Sequence, residues 1–144
     1  MGCDVHGFVE VNTRANPNGE KWVGVVNIEH VLHRGYDSFG SLFGVKNRSG
    51  FTPYAAKRGL PSGLSTEAQA LYEEWEVDAH GMSYLTLEEV LYDIPWDEPS
   101  YEGSERTRWS VLGEQWAWLL GEVMPWLGLR WGREDVRLVV WFEG

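Results

Sequence analysis

Residues 3–13 read Cys-Asp-Val-His-Gly-Phe-Val-Glu-Val-Asn-Thr, and their alternation decides the fold. Small or apolar side chains occupy the odd positions, whereas the even positions include Asp4, His6 and Glu10. A period of two predicts a β-strand with one buried face. The turn sequence Asn-Pro-Asn-Gly at 16–19 and the β-rich residues 22–28 follow. They predict that the N-terminus forms an antiparallel hairpin.

The other end of the chain predicts a further strand. Residues 136–142 carry apolar side chains on both faces, which is typical of a strand inside a sheet. We therefore expect this strand to pair with the hairpin. The predicted fold class is α+β: a small antiparallel sheet, made of the N-terminal hairpin and the C-terminal strand, covered by helices on one face. The length of 144 residues predicts a single domain, 1–144.

Helices are predicted between these strands from capping signals and periodicity. Thr66 with Gln69 forms a capping box for a helix over 66–77, and Thr86 with Glu89 forms a second box that starts another helix. Two further helices are expected, one that begins at Asp37 and ends at Gly44 and a longer one over 105–124 that Pro125 closes.

Composition excludes several classes of protein. The net charge of −10 makes nucleic-acid binding an unfavourable hypothesis, because phosphates require basic surface. No stretch approaches the roughly 20 apolar residues that cross a membrane, and the N-terminus lacks the regions of a signal peptide. The single cysteine, Cys3, fits a reducing compartment. We therefore expect a cytoplasmic protein, in the host cytoplasm if a phage encodes it.

Charge is distributed unevenly along the chain. No Lys or Arg lies between Arg58 and Arg106, whereas that stretch contains twelve Asp and Glu residues. Such a segment is usually a solvated helical surface. Alternatively, the acidic 65–105 region is a docking face for a basic host protein.

The opening Cys3-Asp4-Val5-His6 contains three residue types that bind zinc. In a regular strand Cys3 points away from Asp4 and His6, so the cysteine is expected in the core. Asp4 and His6 share a face about 7 Å apart, a spacing that one ligand can bridge. Glu10, about 20 Å from Asp4, is too far to join them. Asp4 and His6 are therefore candidate catalytic residues, or an ordinary solvated pair.

A second pair, Asp78 and His80, lies between two predicted helices. With Asp4 and His6 it would complete a catalytic acid–base set. Alternatively, Asp4, His6 and His80 are candidate ligands of a divalent metal, which would then be the cofactor. A third interpretation is an ordinary turn built around Asp78.

A basic loop over 46–64 offers candidate ligand-binding residues. Arg58, with Arg34 and Tyr36 earlier in the chain, could hold an anionic small molecule because guanidinium groups grip phosphate and carboxylate. The alternative is that these charges solvate the loop and balance the acidic helices.

Several motifs are spread along the chain. They are Met-Gly-Cys-Asp-Val-His at 1–6, Arg-Gly-Tyr-Asp-Ser-Phe at 34–39, Gly-Val-Lys-Asn at 44–47, Arg-Gly-Leu-Pro at 58–61, Asp-Ala-His at 78–80, Tyr-Leu-Thr-Leu at 84–87 and Val-Arg-Leu-Val-Val-Trp-Phe at 136–142. Together these motifs resemble those of a family of small proteins found in bacteriophages and bacteria. The match covers nearly the whole chain and departs from the family pattern at Ala79, where Gly is usual, and at 143–144, where Asp-Asn is usual. The resemblance implies a discrete domain and a role in modifying a host or countering its defences, and it supplies no activity.

The leading hypothesis from the sequence is a polar pocket for an anionic, nucleotide-like small molecule, with hydrolysis as the reaction. The competing hypothesis is a non-catalytic inhibitor or adaptor that binds a basic host protein through the 65–105 region. A third hypothesis is sequestration of a nucleotide without chemistry.

Overall fold

The computed structural model describes residues 2–17 and 19–144. Its centre is a four-stranded antiparallel sheet whose strands lie in the order β2-β1-β4-β3. The strands are β1 (Asp4–Asn12), β2 (Trp22–Asn27), β3 (His80–Thr86) and β4 (Val136–Glu143). With its helices, the sheet confirms the predicted α+β class.

The predicted hairpin is present, since β1 pairs antiparallel with β2. Its turn is closed by a hydrogen bond from the Gly19 amide to the Asn16 carbonyl, 2.8 Å long. Asn18 of that turn and Met1 of the opening motif lie outside the described residues. As predicted, β4 lies inside the sheet, between β1 and β3. Strand β3 lies where the sequence indicated a turn between two helices.

Helices pack on both faces of the sheet. Helix α1 (Tyr36–Ser38) continues as the π-helical turn Phe39–Phe43, and Gly44 ends it in a left-handed conformation, φ 71°. Helix α2 (Thr66–Trp75) follows, and its N-cap is Ser65, whose hydroxyl accepts from the Ala68 amide, rather than the predicted box at Thr66. The box at Thr86 and Glu89 is confirmed by hydrogen bonds in both directions, and a π-helical turn, Glu89–Asp93, follows it.

The longest helix differs from its prediction. It occupies 114–131 and consists of α3 (Glu114–Trp118), the π-helical turn Leu119–Val123 and α4 (Met124–Trp131). Pro125 lies in the first turn of α4 instead of closing the helix. A proline removes one amide donor, and the wider hydrogen-bonding pattern of the preceding π-turn accommodates that loss. Two 3₁₀ turns, Ile28–His30 and Arg133–Asp135, complete the elements.

The two faces of the sheet are covered differently. On one face, alternate residues of β1 and β4 form the main core with α1, α3 and α4, and this core includes Val5, Val9, Leu138, Val140, Phe142, Phe39, Trp116, Leu119, Leu120 and Met124. On the other face lie His6, Glu10 and Trp141, and α2 packs there through Tyr72 and Trp75. The prediction had helices on one face, and α2 adds cover to the second. Within the described residues, no helix combines the length and apolar character needed to span a bilayer.

Candidate functional site

A cleft of about 570 Å³ opens at the start of β1, on the face of the sheet that α2 covers. Strand alternation places Asp4 and His6 there, and α2 contributes its last residue, Trp75. We call this site the histidine cleft, and its lining consists of Asp4, Val5, His6, Glu29, Leu32, His33, Arg34, Trp75 and Glu143.

His6 is the most constrained polar residue of the cleft. Only 6% of it is exposed, and its ring stacks on Trp75 with 4.2 Å between ring centroids and 25° between planes. Its Nδ1 lies 2.5 Å from Oε1 of Glu29. A carboxylate only accepts hydrogen bonds, so Nδ1 carries the proton and donates it. The nearest acidic oxygen to Nε2, Oε1 of Glu143, is 3.7 Å away, which is beyond hydrogen-bond distance.

Among the described residues, three buried polar atoms without a hydrogen-bond partner belong to His6 and to two residues next to it. They are Nε2 of His6 and the indole nitrogens of Trp75 and Trp141. Trp75 stacks on His6, and Trp141 is the residue that pairs with His6 across β1 and β4. A buried unpaired donor or acceptor costs about 1–3 kcal/mol. Such unsatisfied groups are uncommon in native structures, and functional sites are one place where they persist.

At the mouth of the cleft Asp4 and Arg34 form a bidentate pair. Nε and Nη2 of Arg34 donate to the two carboxylate oxygens of Asp4, at 2.6 Å and 3.2 Å. These hydrogen bonds hold the pKa of Asp4 below its ordinary value. Both side chains are about half exposed, 43% for Asp4 and 54% for Arg34. Arg34 therefore already binds a protein carboxylate, that of Asp4. The sequence had suggested it as a ligand-binding residue.

Cys3 belongs to the core, as predicted. It is fully buried, and burial raises the pKa of its thiol. A protonated, buried thiol is neither a nucleophile nor a metal ligand. Its amide donates to the hydroxyl of Tyr36, 2.9 Å away. Tyr36 therefore supports the start of β1, and it does not line the histidine cleft.

The second predicted pair, Asp78 and His80, does not converge with the first. His80 pairs with Phe142 of β4, whereas His6 pairs with the adjacent residue, Trp141. Directly paired residues of antiparallel strands lie on one face, and neighbouring residues of β4 lie on opposite faces. His80 is thus on the core side of the sheet edge, and its Nε2 lies 3.1 Å from the Gly144 carbonyl oxygen. The expectation that it completes the site of His6 is corrected.

The predicted metal set is likewise not assembled. Across 2–17 and 19–144, no three or more His, Cys, Asp or Glu side chains converge in a way that could hold an ion. The sheet separates the candidates Asp4 and His6 from His80 by placing them on different faces.

Arg58 has a structural partner instead of a ligand. Its two terminal nitrogens donate to the two oxygens of Glu89, both at 2.7 Å, and its guanidinium lies near the rings of Tyr54 and Tyr84. Burial raises the pKa of Glu89, but the hydrogen bonds from Arg58 and Thr86 outweigh it, so the pKa lies below its ordinary value. Arg58 thereby holds the capping box at the end of β3.

Of the six lining residues that were not candidates from the sequence, three lie close to the ring of His6: Glu29, Trp75 and Glu143. Trp75 lies in the helix predicted over 66–77, but that prediction does not indicate its partner. Glu29 follows the N-cap residue Asn27, whose side chain accepts from the Glu29 amide. Glu143 pairs with Asp4 across the sheet. The strand register brings Glu143 to this end of β1, whereas Glu29 and Trp75 come from other elements that only the folded chain brings to His6.

The chain matches no family model, no curated protein and no solved structure. The resemblance to small phage and bacterial proteins therefore stays a prediction, and the proposals below depend on the geometry of the sites.

Proposed function

We propose that the protein binds a small polar molecule in the histidine cleft and hydrolyses it, with His6 as the general base. One observation carries this proposal. Within 2–17 and 19–144, the Nε2 atom of an almost fully buried imidazole has no hydrogen-bond partner, while Glu29 holds the opposite nitrogen of the same ring. Incompletely satisfied polar groups of a histidine in a cleft are candidates for a catalytic role.

The arrangement is that of a carboxylate–histidine dyad. Glu29 accepts the Nδ1 proton of His6, which leaves the lone pair of the neutral ring on Nε2. A water molecule would give a proton to Nε2 while its oxygen attacks an electrophilic carbon or phosphorus atom of the substrate. The resulting imidazolium would return that proton to the leaving group, and Glu29 would stabilise the imidazolium between the two steps.

The charges of the cleft indicate the class of substrate. Asp4, Glu29 and Glu143 are acidic, and the guanidinium of Arg34 already pairs with Asp4. An anionic ligand would meet an excess of carboxylates, so the anionic substrate expected from the sequence is not favoured here. A neutral or cationic ester or amide is favoured instead. Trp75 lines the cleft, and an indole ring is a favourable contact for such a cation.

Hydrolysis assays with three esters of different charge test this proposal. The first is a neutral nitrophenyl ester, the second a cationic thiocholine-type ester and the third an anionic nitrophenyl phosphate ester. The neutral and cationic esters are expected to be cleaved faster than the anionic one. General acid–base catalysis contributes about 10²–10⁴-fold, so His6→Gln should reduce the rate at least about 100-fold. Glu29→Gln should reduce it less, because the ring remains in place.

His30→Gln is the matched control, since His30 is exposed and does not line the cleft. It should leave the rate unchanged. Equal rates for His6→Gln and the wild-type protein, or no cleavage of any ester, would contradict the proposal.

A second candidate function is the non-catalytic adaptor that binds a basic host protein through 65–105. The observation that favours it is the exposed end of α2 and the turn after it. Glu73, Glu74 and Glu76 are all exposed there, next to Val77, of which 98% is exposed. Reversing the three charges to Lys should abolish a host phenotype under the adaptor proposal. Under the hydrolase proposal it should leave ester cleavage intact.

A further inference from the structure

A second concave site lies at the far edge of the sheet, where β3 begins. Three segments converge there: the end of the α1 π-turn with the residues after it, the loop around Lys57, and the first residues of β3. They enclose a cavity of about 520 Å³, within the size range of small-molecule sites. We call it the lysine cavity, and its polar residues are Lys46, Lys57 and His80.

The charge of the lysine cavity is opposite to that of the whole protein. No acidic side chain is among its lining residues, whereas the net charge of the chain is −10. Five arginines form ion pairs with carboxylates: Arg14, Arg34, Arg58, Arg106 and Arg137. In the part of the chain that the structure describes, neither cavity lysine forms such a pair. Their charges are therefore available to a ligand.

The backbone supports the same conclusion. Lys46 and Lys57 have left-handed φ angles, 50° and 57°, and Arg14 is the third residue other than glycine with a positive φ among those described. Such a conformation costs about 1 kcal/mol or more for an L-residue and is concentrated at ligand sites. Gly81, φ 65°, lets the start of β3 approach the side chain of Val45, where a Cβ would come within 2.7 Å of Cγ2. The chain is strained at the points that hold the two lysines in one cavity.

His80 adds a third nitrogen group to the edge of the cavity. Its Nε2 lies 3.1 Å from the carbonyl oxygen of Gly144, so Nε2 is the donor and the residue after β4 fixes the ring. The remaining lining, which includes Phe43 and Met82, is apolar. Two ammonium groups beside an apolar wall suit a compact anion attached to an apolar body.

We propose that the lysine cavity binds a small phosphorylated molecule, with Lys46 and Lys57 holding the phosphate and the wall at Phe43 contacting the organic part. Lysine is a point charge that binds phosphate oxygens without demanding one fixed geometry. This site is separate from the histidine cleft. It lies at the edge strand β3, where His80 is on the opposite face of the sheet from His6. It is also distinct from the sites of Arg34 and Arg58, the arginines that the sequence suggested.

Titration calorimetry with three probes tests the proposal: inorganic phosphate, adenosine 5′-monophosphate and uncharged adenosine. We expect the monophosphate to bind in the millimolar range or tighter, more tightly than inorganic phosphate, and adenosine to bind weakest. Lys46→Gln and Lys57→Gln should each weaken the monophosphate at least about 10-fold, which is 1.4 kcal/mol.

The matched control is Lys21→Gln. Lys21 is the one lysine of the sequence besides Lys46 and Lys57, and it is exposed and lies outside the cavity. It should change the affinity by less than about two-fold, with circular dichroism showing that all three variants are folded. Equal losses in Lys21→Gln and the cavity variants would overturn the proposal by showing general charge attraction. No binding of either phosphate, or binding that both cavity variants retain, would overturn it as well.

Discussion

Glu10 and His6 lie on the same face of β1, both almost fully buried, and their surroundings differ in one respect. The two carboxylate oxygens of Glu10 accept from Nε of Arg137 at 2.6 Å and from the Ser65 amide at 2.8 Å. Arg137 in turn donates to the carbonyls at 62 and 63, and its guanidinium lies 3.7 Å from the centre of the Trp22 ring. His6 has one bonded nitrogen and one without a partner.

The comparison shows that burial of a charged or titratable group does not by itself distinguish a structural role from a functional one. At Glu10 every hydrogen-bonding group is satisfied, and the loop before α2 closes over it. At His6, the described residues leave the Nε2 atom without a hydrogen-bond partner, and the residue lines a cleft. We therefore expect the Glu10 end of the strand to control stability and the His6 end to control chemistry.

The largest effect on stability is expected from Arg137→Met. Removing one partner of a buried ion pair leaves the carboxylate of Glu10 buried without its cation, which costs about 3–5 kcal/mol. Urea unfolding at neutral pH measures this loss. The double variant Glu10→Leu with Arg137→Met should recover at least half of it, because no buried charge remains. A loss below about 1 kcal/mol in the single variant would mean that the pair is not structural.

A smaller effect is expected at the other satisfied pair, Arg58 with Glu89. Arg58→Gln should reduce stability by about 1.5–3 kcal/mol, the range for hydrogen bonds to charged groups. The pKa of Glu89 lies below its ordinary value of 4.5, so its contribution is complete above pH 4.5 and is lost as the pH falls through the lowered pKa. Unfolding measured from pH 7 to pH 3 should show a steeper loss in the wild type than in Arg58→Gln. Parallel curves would contradict this role.

The smallest effect on stability is expected at the histidine cleft. Glutamine at position 6 keeps a donor for Glu29 and removes the stacked ring, so His6→Gln should change the free energy of unfolding by less than about 1.5 kcal/mol. The same urea experiment measures it. If His6→Gln were as damaging as Arg137→Met, the two ends of the strand would not differ and the comparison would fail.

Local patterns in the sequence were sufficient for much of the fold. The alternation at 3–13 predicts β1, the apolar run at 136–142 predicts β4, and the box at Thr86 and Glu89 is present as expected. The errors arise where tertiary context decides. The short strand β3 has no strong alternation of its own, and β4 gives it a partner. The long helix continues past its predicted end at 124 because the π-turn before α4 admits Pro125, a residue that usually ends a helix.

The candidate site was only partly predictable for a related reason. Alternation correctly separates Cys3 from His6, and His6 with Asp4 does line a cleft. The partner of His6 could not be deduced, because Glu29 and Trp75 come from separate elements that only the folded chain brings together. The sequence suggested that Asp78 and His80 complete an acid–base set with Asp4 and His6. The register of β3 against β4 instead places His80 on the face opposite to His6.

The most direct test of the central claim is the protonation of the two ring nitrogens of His6, measured by long-range ¹H–¹⁵N NMR at neutral pH. His6→Gln identifies the signals. We predict a proton on Nδ1, where Glu29 accepts it, and a lone pair on Nε2. The ¹⁵N signal of Nε2 should shift when an analogue of an ester that the protein cleaves is added. A proton on Nε2 directed at Glu143, unchanged by any such compound, would contradict the account and would make His6 a structural residue like Glu10.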